Sequence, residues 1–473
     1  MATLALNRPP AITWHKLNIN EVEVEIADLP LAQGAHISEL QAAGDPGAPS
    51  GTPRSAARFG ESNGLSEPRA LHCFVQSLGI FANSENSVPS GMASADGVQR
   101  VPDRAPGSPA SSEVRRSAAR PTSGKPDSGA SLPHASTERI PLESADEFGV
   151  QTTSEGSPEG SGSAWEAEIS NVGLSSALAD LGEGLDWLLA HASQRVIATG
   201  DAVVDITAQD GKTVVAVVDV DPGEGGRAHV VVHTDSPDGG AGMAGVLVRV
   251  HAAAYAQVEV ELLQTLGKGF TYLECVAIDE DDDARVTIRQ TVLGAGASYV
   301  GLASNLEGFR ARNGIDVHYA GLGSSVLDFN YAMRQRGAQT QVEFDAQGVL
   351  TDSSRKTLRD TIDLIRGCKG AKGREQETVL LANDGVRNKS LPVILCTEDD
   401  VQGDHGATIG HVEPEQLHYL NSRGLNQEQV EALFVGAVFD YALAHALTPR
   451  SRAAIERLKN VHAGMVPARE GEE

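Results

Sequence analysis

Stretches of alternating β-strand text return at a fixed interval in this chain, and that period limits the fold more than any single residue does. AHVVVHT starts at Ala228, AQVEVEL at Ala256 and ARVTIRQ at Ala284, each 28 residues after the last. TQVEFDA at Thr340 lies two further intervals on, across a degenerate unit around Arg312. Strand text with a fixed period means a solenoid in which each coil covers its neighbour. Short Val-rich strands between Gly and Asp turns predict a mainly β fold, a right-handed parallel β-helix with α-helical segments before and after it. The strand text runs from Arg195 to about Asp404, and the core closes by residue 412. In such a coil, inward Val and Ile stack in ladders while Glu, Arg and His alternate outward. Val230, Val258 and Val286 are expected to stack in register. An antiparallel sandwich accounts for the alternation but not for the period.

The flanking text differs. Residues 1–33 form a short N-terminal segment with Trp14 as a packing anchor and a strand pattern at Val22, Val24 and Ile26. Residues 34–162 are dominated by Ser, Pro, Gly, Ala and Glu. They read as a disordered low-complexity insert, because such text buries too little apolar surface to offset about 1–2 kcal/mol of chain entropy per residue. Only Ala70–Phe81 is apolar enough to dock. Residues 173–194 are a helical lead-in: Leu174, Leu178, Leu181, Leu185 and Leu188 make one stripe, bent near Gly182–Gly184. That helix is expected to cover the open edge of the solenoid. Residues 413–462 are helical. Pro414 opens a short helix that Gly424 ends; Asn426 then caps a second, with Gln429 as its capping-box partner. Val430, Leu433, Phe434, Ala437, Val438, Tyr441 and His445 share one face of that second helix, and Thr448-Pro449 starts a third.

Composition narrows the function. A net charge of −26 disfavours nonspecific contact with nucleic acid or anionic lipid. No apolar run reaches the ~18–20 residues that span a bilayer, and the N-terminal text lacks the pattern of a secretory signal. Cys73, Cys275, Cys368 and Cys396 are widely spaced with no CxxC pair, which fits a reducing cytoplasm and no structural zinc. Asp279–Asp283 lacks the spacing of a calcium loop and reads as a solvated acidic turn. No phosphate loop and no GxSxG context is present. Cys396 reads as a buried strand residue; Cys368 lies beside cations that lower a thiol pKa.

The densest text is Glu375–Leu425. Asn388-Lys389-Ser390, Pro392, His405-Gly406-Ala407-Thr408, Gly410, Leu417, Tyr419-Leu420 and Ser422-Arg423-Gly424 follow one another there. This order closely resembles the C-terminal end of the SufB/SufD family, the β-helical scaffold subunits of SUF iron–sulfur cluster assembly. The resemblance covers roughly Arg195–Leu447, and Trp14, Leu17 and Asn20 are similar to an N-terminal stretch of SufD-type chains. It implies a non-enzymatic subunit that pairs with a SufB-type β-helix and docks a SufC-type ABC ATPase through its C-terminal helices, at Tyr419, Arg423, Val430, Phe434 and Tyr441.

His405 is the main chemical candidate. The residues alone read it as a histidine in a Gly-rich bend, hydrogen-bonding across the last coil. The resemblance implies instead a ligand for iron or a nascent cluster at the subunit junction, with no cofactor held stably by this chain alone. Relatives carry a Cys two residues before this His; here Gly403 stands there, next to Asp404. The absence of a Cys near Glu377-Thr378-Val379 and the presence of Gly406 after His405 resemble SufD rather than SufB. A polysaccharide-active β-helix enzyme and a homodimeric scaffold are the alternative readings; the first needs paired outward carboxylates, such as Glu259 and Glu261.

Overall fold

The computed structural model describes residues 2–10, 21–32, 34–38, 150–153, 181–237, 239–412 and 414–463, all within one compact unit. Trp14, Cys73, Ala70–Phe81, Leu174 and Leu178 lie outside the described residues. Strands β1 (Ala2–Leu6) and β2 (Val22–Ile26) pair antiparallel. Val24 and Ile26 are buried and Glu23 and Glu25 exposed, as the alternation requires. Strands β3 (Ala35–Ser38) and β4 (Val150–Thr153) and helix α1 (Gly182–Ala190) follow.

A parallel solenoid comes next. One sheet holds β5 (Gln194–Ala198), β7 (Thr213–Val220), β9 (Gly242–Ala252), β11 (Phe270–Glu280), β13 (Ala297–Leu306), β15 (Val326–Gln335), β17 (Arg355–Leu364) and β19 (Arg387–Cys396). The other holds β6 (Ala202–Thr207), β8 (Arg227–Asp235), β10 (Gln257–Thr265), β12 (Arg285–Val292), β14 (Arg312–Gly321), β16 (Gln341–Leu350), β18 (Lys372–Leu381) and β20 (Gln402–His411). Each of these strands pairs parallel with the one a coil away, so the sandwich alternative is excluded. Between the sheets lies a continuous apolar interior, including Val218, Val248, Val260, Ile288 and Phe344.

The register corrects the period. Val258 faces Val286, 28 residues on, but its partner on the other side is Ala228, 30 residues back. Val230 therefore stacks on Val260, not on Val258, although all three expected side chains face the same interior. Residue 286 pairs with 313, and 313 with 342, steps of 27 and 29.

What recurs is a turn. Gly225, Tyr255, Asp283, Arg310, Gln339 and Gly370 each have positive φ, from 57° to 74°, at the corner before an even-numbered strand. Their amides form a ladder from coil to coil: Gly225 N–H donates to Ala254 O (2.8 Å), Tyr255 to Asp282 O (2.8 Å), Asp283 to Phe309 O (2.8 Å), Arg310 to Ala338 O (3.0 Å) and Gln339 to Lys369 O (2.8 Å). The next residue is small in each case: Gly226, Ala256, Ala284, Ala311, Thr340 and Ala371. Ala256 and Ala284 belong to this column, whereas Ala228 lies two places beyond it. That offset explains the false constant spacing. Ala311 also restores the unit around Arg312 that reads as degenerate.

The two ends of the solenoid differ. At the first coil, β3 lies antiparallel on β6, and β4 antiparallel on β5. Residues 34–38 and 150–153 thus belong to the folded unit, although the composition of 34–162 reads as one insert. Helix α1 does not cover this edge. It begins at Gly182 (φ 58°) and lies on the outer face of the odd-numbered sheet, where Leu185, Trp187 and Leu188 meet Val215, Val217, Leu247 and Leu273. Gly245 makes room: a Cβ there would stand 2.5 Å from Leu188 Cδ2.

After β20 come α2 (Pro414–Ser422), α3 (Gln427–His445) and α4 (Pro449–Ala463). Gly424 has φ 89°, and Asn426 and Gln429 form the reciprocal capping box. Helices α3 and α4 fold back over the even-numbered sheet. Val430, Phe434, Val438, Phe439, Ile455 and Leu458 pack on the outward Leu263, Leu293, Val349 and Leu380. Arg450 donates to Thr207 and Arg457 to Asp235, tying α4 to the early strands β6 and β8.

Candidate functional site at the open end of the solenoid

Among the described residues, no strand covers the last coil. β19 and β20 are the terminal strands of their sheets, and nearly every residue of β20 is exposed. Such an edge presents unpaired backbone groups to any strand that fits it.

His405 lies in the middle of β20 rather than in a bend, and it pairs with Glu375 of β18. Following the register back through the coils gives one inward column: Val230, Val260, Ile288, Ile315, Phe344, Glu375, His405. The column is apolar for five coils and changes character only at the open end. The imidazole is 53 % exposed, and its Nδ1 stands 3.6 Å from Glu375 Oε1. Gly406 leaves open space beside it. Gly403 faces the same interior; a Cβ there would lie 3.3 Å from Ile394 and 3.4 Å from Leu364.

Beneath His405 is a buried polar layer that sequence reasoning missed. Lys356, Asp360, Glu375 and Glu377 are all buried. The Lys356 ammonium donates to Glu377 Oε1 and, at 3.1 Å, to Ser390 Oγ. Tyr319 Oη donates to the same Glu377 oxygen at 3.0 Å. Burial lowers the Lys356 pKa against the opposing pull of Glu377. Burial, reinforced by Glu377, pushes Asp360 up to about 7. Glu375 rises to about 10, through burial first and then Asp360. A signal did exist in the text: β17 and β18 carry charged or amide residues at both parities, at Lys356, Arg359 and Asp360 and at Arg374, Glu375, Gln376 and Glu377. A strand with one solvated face would carry them at one parity only.

The cysteines depart from expectation. Cys396 is exposed at the end of β19, its Sγ 3.1 Å from Glu398 O. Cys368 is buried, and burial followed by Glu398 pushes its thiol up to about 11, not down. On the outer face of the even-numbered sheet, His229, Glu259 and Glu261 approach one another closely enough for a shared cation. Arg289 already occupies that position, donating to both glutamates, so the outward pair is neutralised in place.

Of the five residues expected at a partner surface, three are interior. Val430 and Phe434 are 1 % exposed and Tyr441 4 %. The face that looks partner-seeking in the sequence is consumed by the chain's own solenoid. Tyr419 is exposed on α2, and the Arg423 guanidinium lies 4.9 Å from its ring centroid.

Fold and site together define a class: parallel β-helix proteins with one capped end, one open end and a polar layer just inside the opening. A family profile described as "SUF system FeS cluster assembly, SufBD core domain" matches residues 205–438. The chain belongs to the SufB/SufD family through this core. It is similar to the iron–sulfur cluster assembly protein SufD of Bacillus subtilis (strain 168), 30 % identical over 115 residues, covering 24 % of this chain and 26 % of that protein. SufD of Escherichia coli (strain K12) is 29 % identical over 104 residues, 22 % and 23 % of the two chains. An iron–sulfur cluster assembly SufBD family protein of Pyrococcus horikoshii is 32 % identical over 90 residues, 19 % and 20 % of the two chains. The aligned segments thus span about a quarter or less of these relatives' length. No described helix is long and apolar enough to cross a membrane.

Proposed function

We propose that this chain is a SufD-type, non-enzymatic subunit of a SufBCD-type complex, working in the cytoplasm. Its open coil pairs edge to edge with a SufB-type β-helix, and nascent iron–sulfur cargo meets His405 at that junction. The observation that carries this reading is the asymmetry of the solenoid. Antiparallel strands cover one end; the other presents the free edges of β19 and β20 with His405 projecting from the inward column. The exposed Tyr419 and Arg423 on and beside α2 are the proposed contacts for a SufC-type ATPase, since Phe434 is unavailable.

Two experiments test this. A tagged full-length chain, expressed with its natural partners, is expected to recover a second β-helix protein and an ABC-type ATPase. Recovery of the chain alone, or only as a homodimer, overturns the assignment. His405→Ala is expected to leave that complex intact and to cut the cluster yield in anaerobic reconstitution, read by visible absorbance. An unchanged yield makes His405 structural.

A further inference from the structure

Four glutamates are buried among the described residues: Glu274, Glu280, Glu375 and Glu377. Three are supplied with a donor. Glu274 accepts from Tyr272 and Gln290, Glu280 from Asn313 at 2.8 Å, and Glu377 from Lys356 and Tyr319. Glu375 differs: neither of its carboxylate oxygens has a hydrogen-bond partner, although the residue is 1 % exposed. Leaving such a group unpaired is costly, and proteins avoid it unless something else occupies the position. Asp360 lies near enough to raise its pKa, and the His405 Nδ1 stands 3.6 Å from Oε1, too long for a hydrogen bond.

That distance lies just above the span of two ligands on one metal ion, within reach of a small rotation of the exposed imidazole. Two donors, each about 2.1 Å from a shared metal ion, stand roughly 3–3.5 Å apart at tetrahedral or octahedral angles. An imidazole nitrogen with a carboxylate oxygen is a donor set for borderline divalent first-row metals. Asp360 Oδ1 and Glu377 Oε2, also buried and without partners, add acceptors to the same layer. Among the described residues no strand follows β20 above His405, so remaining coordination positions are open to solvent or a docked chain.

We propose that Glu375 and His405 form a two-ligand half-site for a divalent transition-metal ion at the mouth of the solenoid. The half-site deepens the reading of His405 given above and rests on it. Glu375 supplies the fixed oxygen from the penultimate coil, and His405 the movable nitrogen from the open one. With two protein ligands the chain holds the ion weakly by itself, and a facing subunit tightens it.

The test uses the untagged, metal-free full-length chain, titrated anaerobically with Co2+ and followed by visible d–d absorption and calorimetry. Wild type is expected to bind in the high-micromolar to millimolar range, a rough expectation for a site with an incomplete ligand set. Glu375→Gln, which keeps size and burial, and His405→Ala are each expected to weaken binding tenfold or more. Asp404→Asn, on the outward face of the same strand, and His229→Gln, in the outer cluster, are expected to change nothing. Wild-type affinity in Glu375→Gln overturns the proposal, as does the absence of Co2+ binding by the wild-type chain. Should Glu375→Gln fail to unfold cooperatively, Glu375→Asp, which retracts the carboxylate by one methylene, replaces it with the same expected loss and the same overturning result. Partner recovery is read separately, so failure of the complex and failure of the half-site are distinguishable.

Discussion

Lys356 places its ammonium on Glu377 with both side chains buried, so removing either partner strands a charge. Lys356→Ala is expected to cost about 3–5 kcal/mol in denaturant unfolding, while Lys356→Met with Glu377→Leu recovers most of it. Wild-type stability in Lys356→Ala would show that the pair contributes nothing. His318 supplies a pH test. It is buried against Tyr441 of α3, ring centroids 3.8 Å apart. Burial first, then His445 and Arg289, lowers its pKa to about 3. The unfolded chain therefore binds a proton near pH 6.5 that the folded chain refuses. Stability from this group is fully present above pH 6.5 and is lost as pH falls from there toward 3, by a few kcal/mol at most on the order of the shift. His318→Phe keeps a ring against Tyr441 and is expected to flatten the unfolding profile between pH 6 and 4; an unchanged profile removes His318 as a cause. At this scale the text singles out His405 by its neighbours but places it in a bend rather than a strand, and it does not place Glu375 beneath it. Arg374 and Gln376 flank this glutamate, so the segment reads as a solvated run, and only the register with Phe344 turns Glu375 inward.

Among elements, α3 shows where pattern reading succeeds and stops. The capping box at Asn426 and Gln429 and the apolar stripe were both readable, because each depends on residues a few positions apart. Which surface the stripe meets was not, because Leu263, Val349 and Leu380 come from strands far away in sequence. Phe434→Ala is expected to cost about 3–5 kcal/mol and to loosen α3 and α4 together, measured by hydrogen exchange. Undiminished protection would mean that the helices are held by their polar ties alone. The turn column illustrates the same limit. Positive φ at Tyr255, Asp283, Arg310 and Gln339 carries no glycine signature, so text alone supplied a false register. Tyr255 is 57 % exposed, and its side chain is dispensable to the core. Tyr255→Gly is expected to relieve about 1 kcal/mol of left-handed strain, partly offset by unfolded-state entropy, raising the melting temperature slightly. A clear fall would show that the ring packs.

For the whole molecule, the composition boundary and the structural boundary differ. Deleting residues 39–149 and joining β3 to β4 through a short flexible linker is expected to preserve thermal unfolding. Deleting 34–162 removes both strands and is expected to promote self-association by size-exclusion chromatography, since the first coil then exposes two free edges. Equal behaviour of the two deletions would deny β3 and β4 any capping role. The period shaped the whole-molecule reading correctly because coils repeat; the caps escaped it because each is four residues long and set in text of another composition. The antiparallel reversal at one end also fixes the valence of the molecule. A β-helix with two bare ends is a bifunctional monomer: head joins tail, and nothing stops the chain of subunits from growing. With one end blunted by antiparallel strands of only four residues, the long edges of β19 and β20 are the face better suited to pairing. Association through that one face ends at pairs, and its product is a discrete particle rather than a fibre.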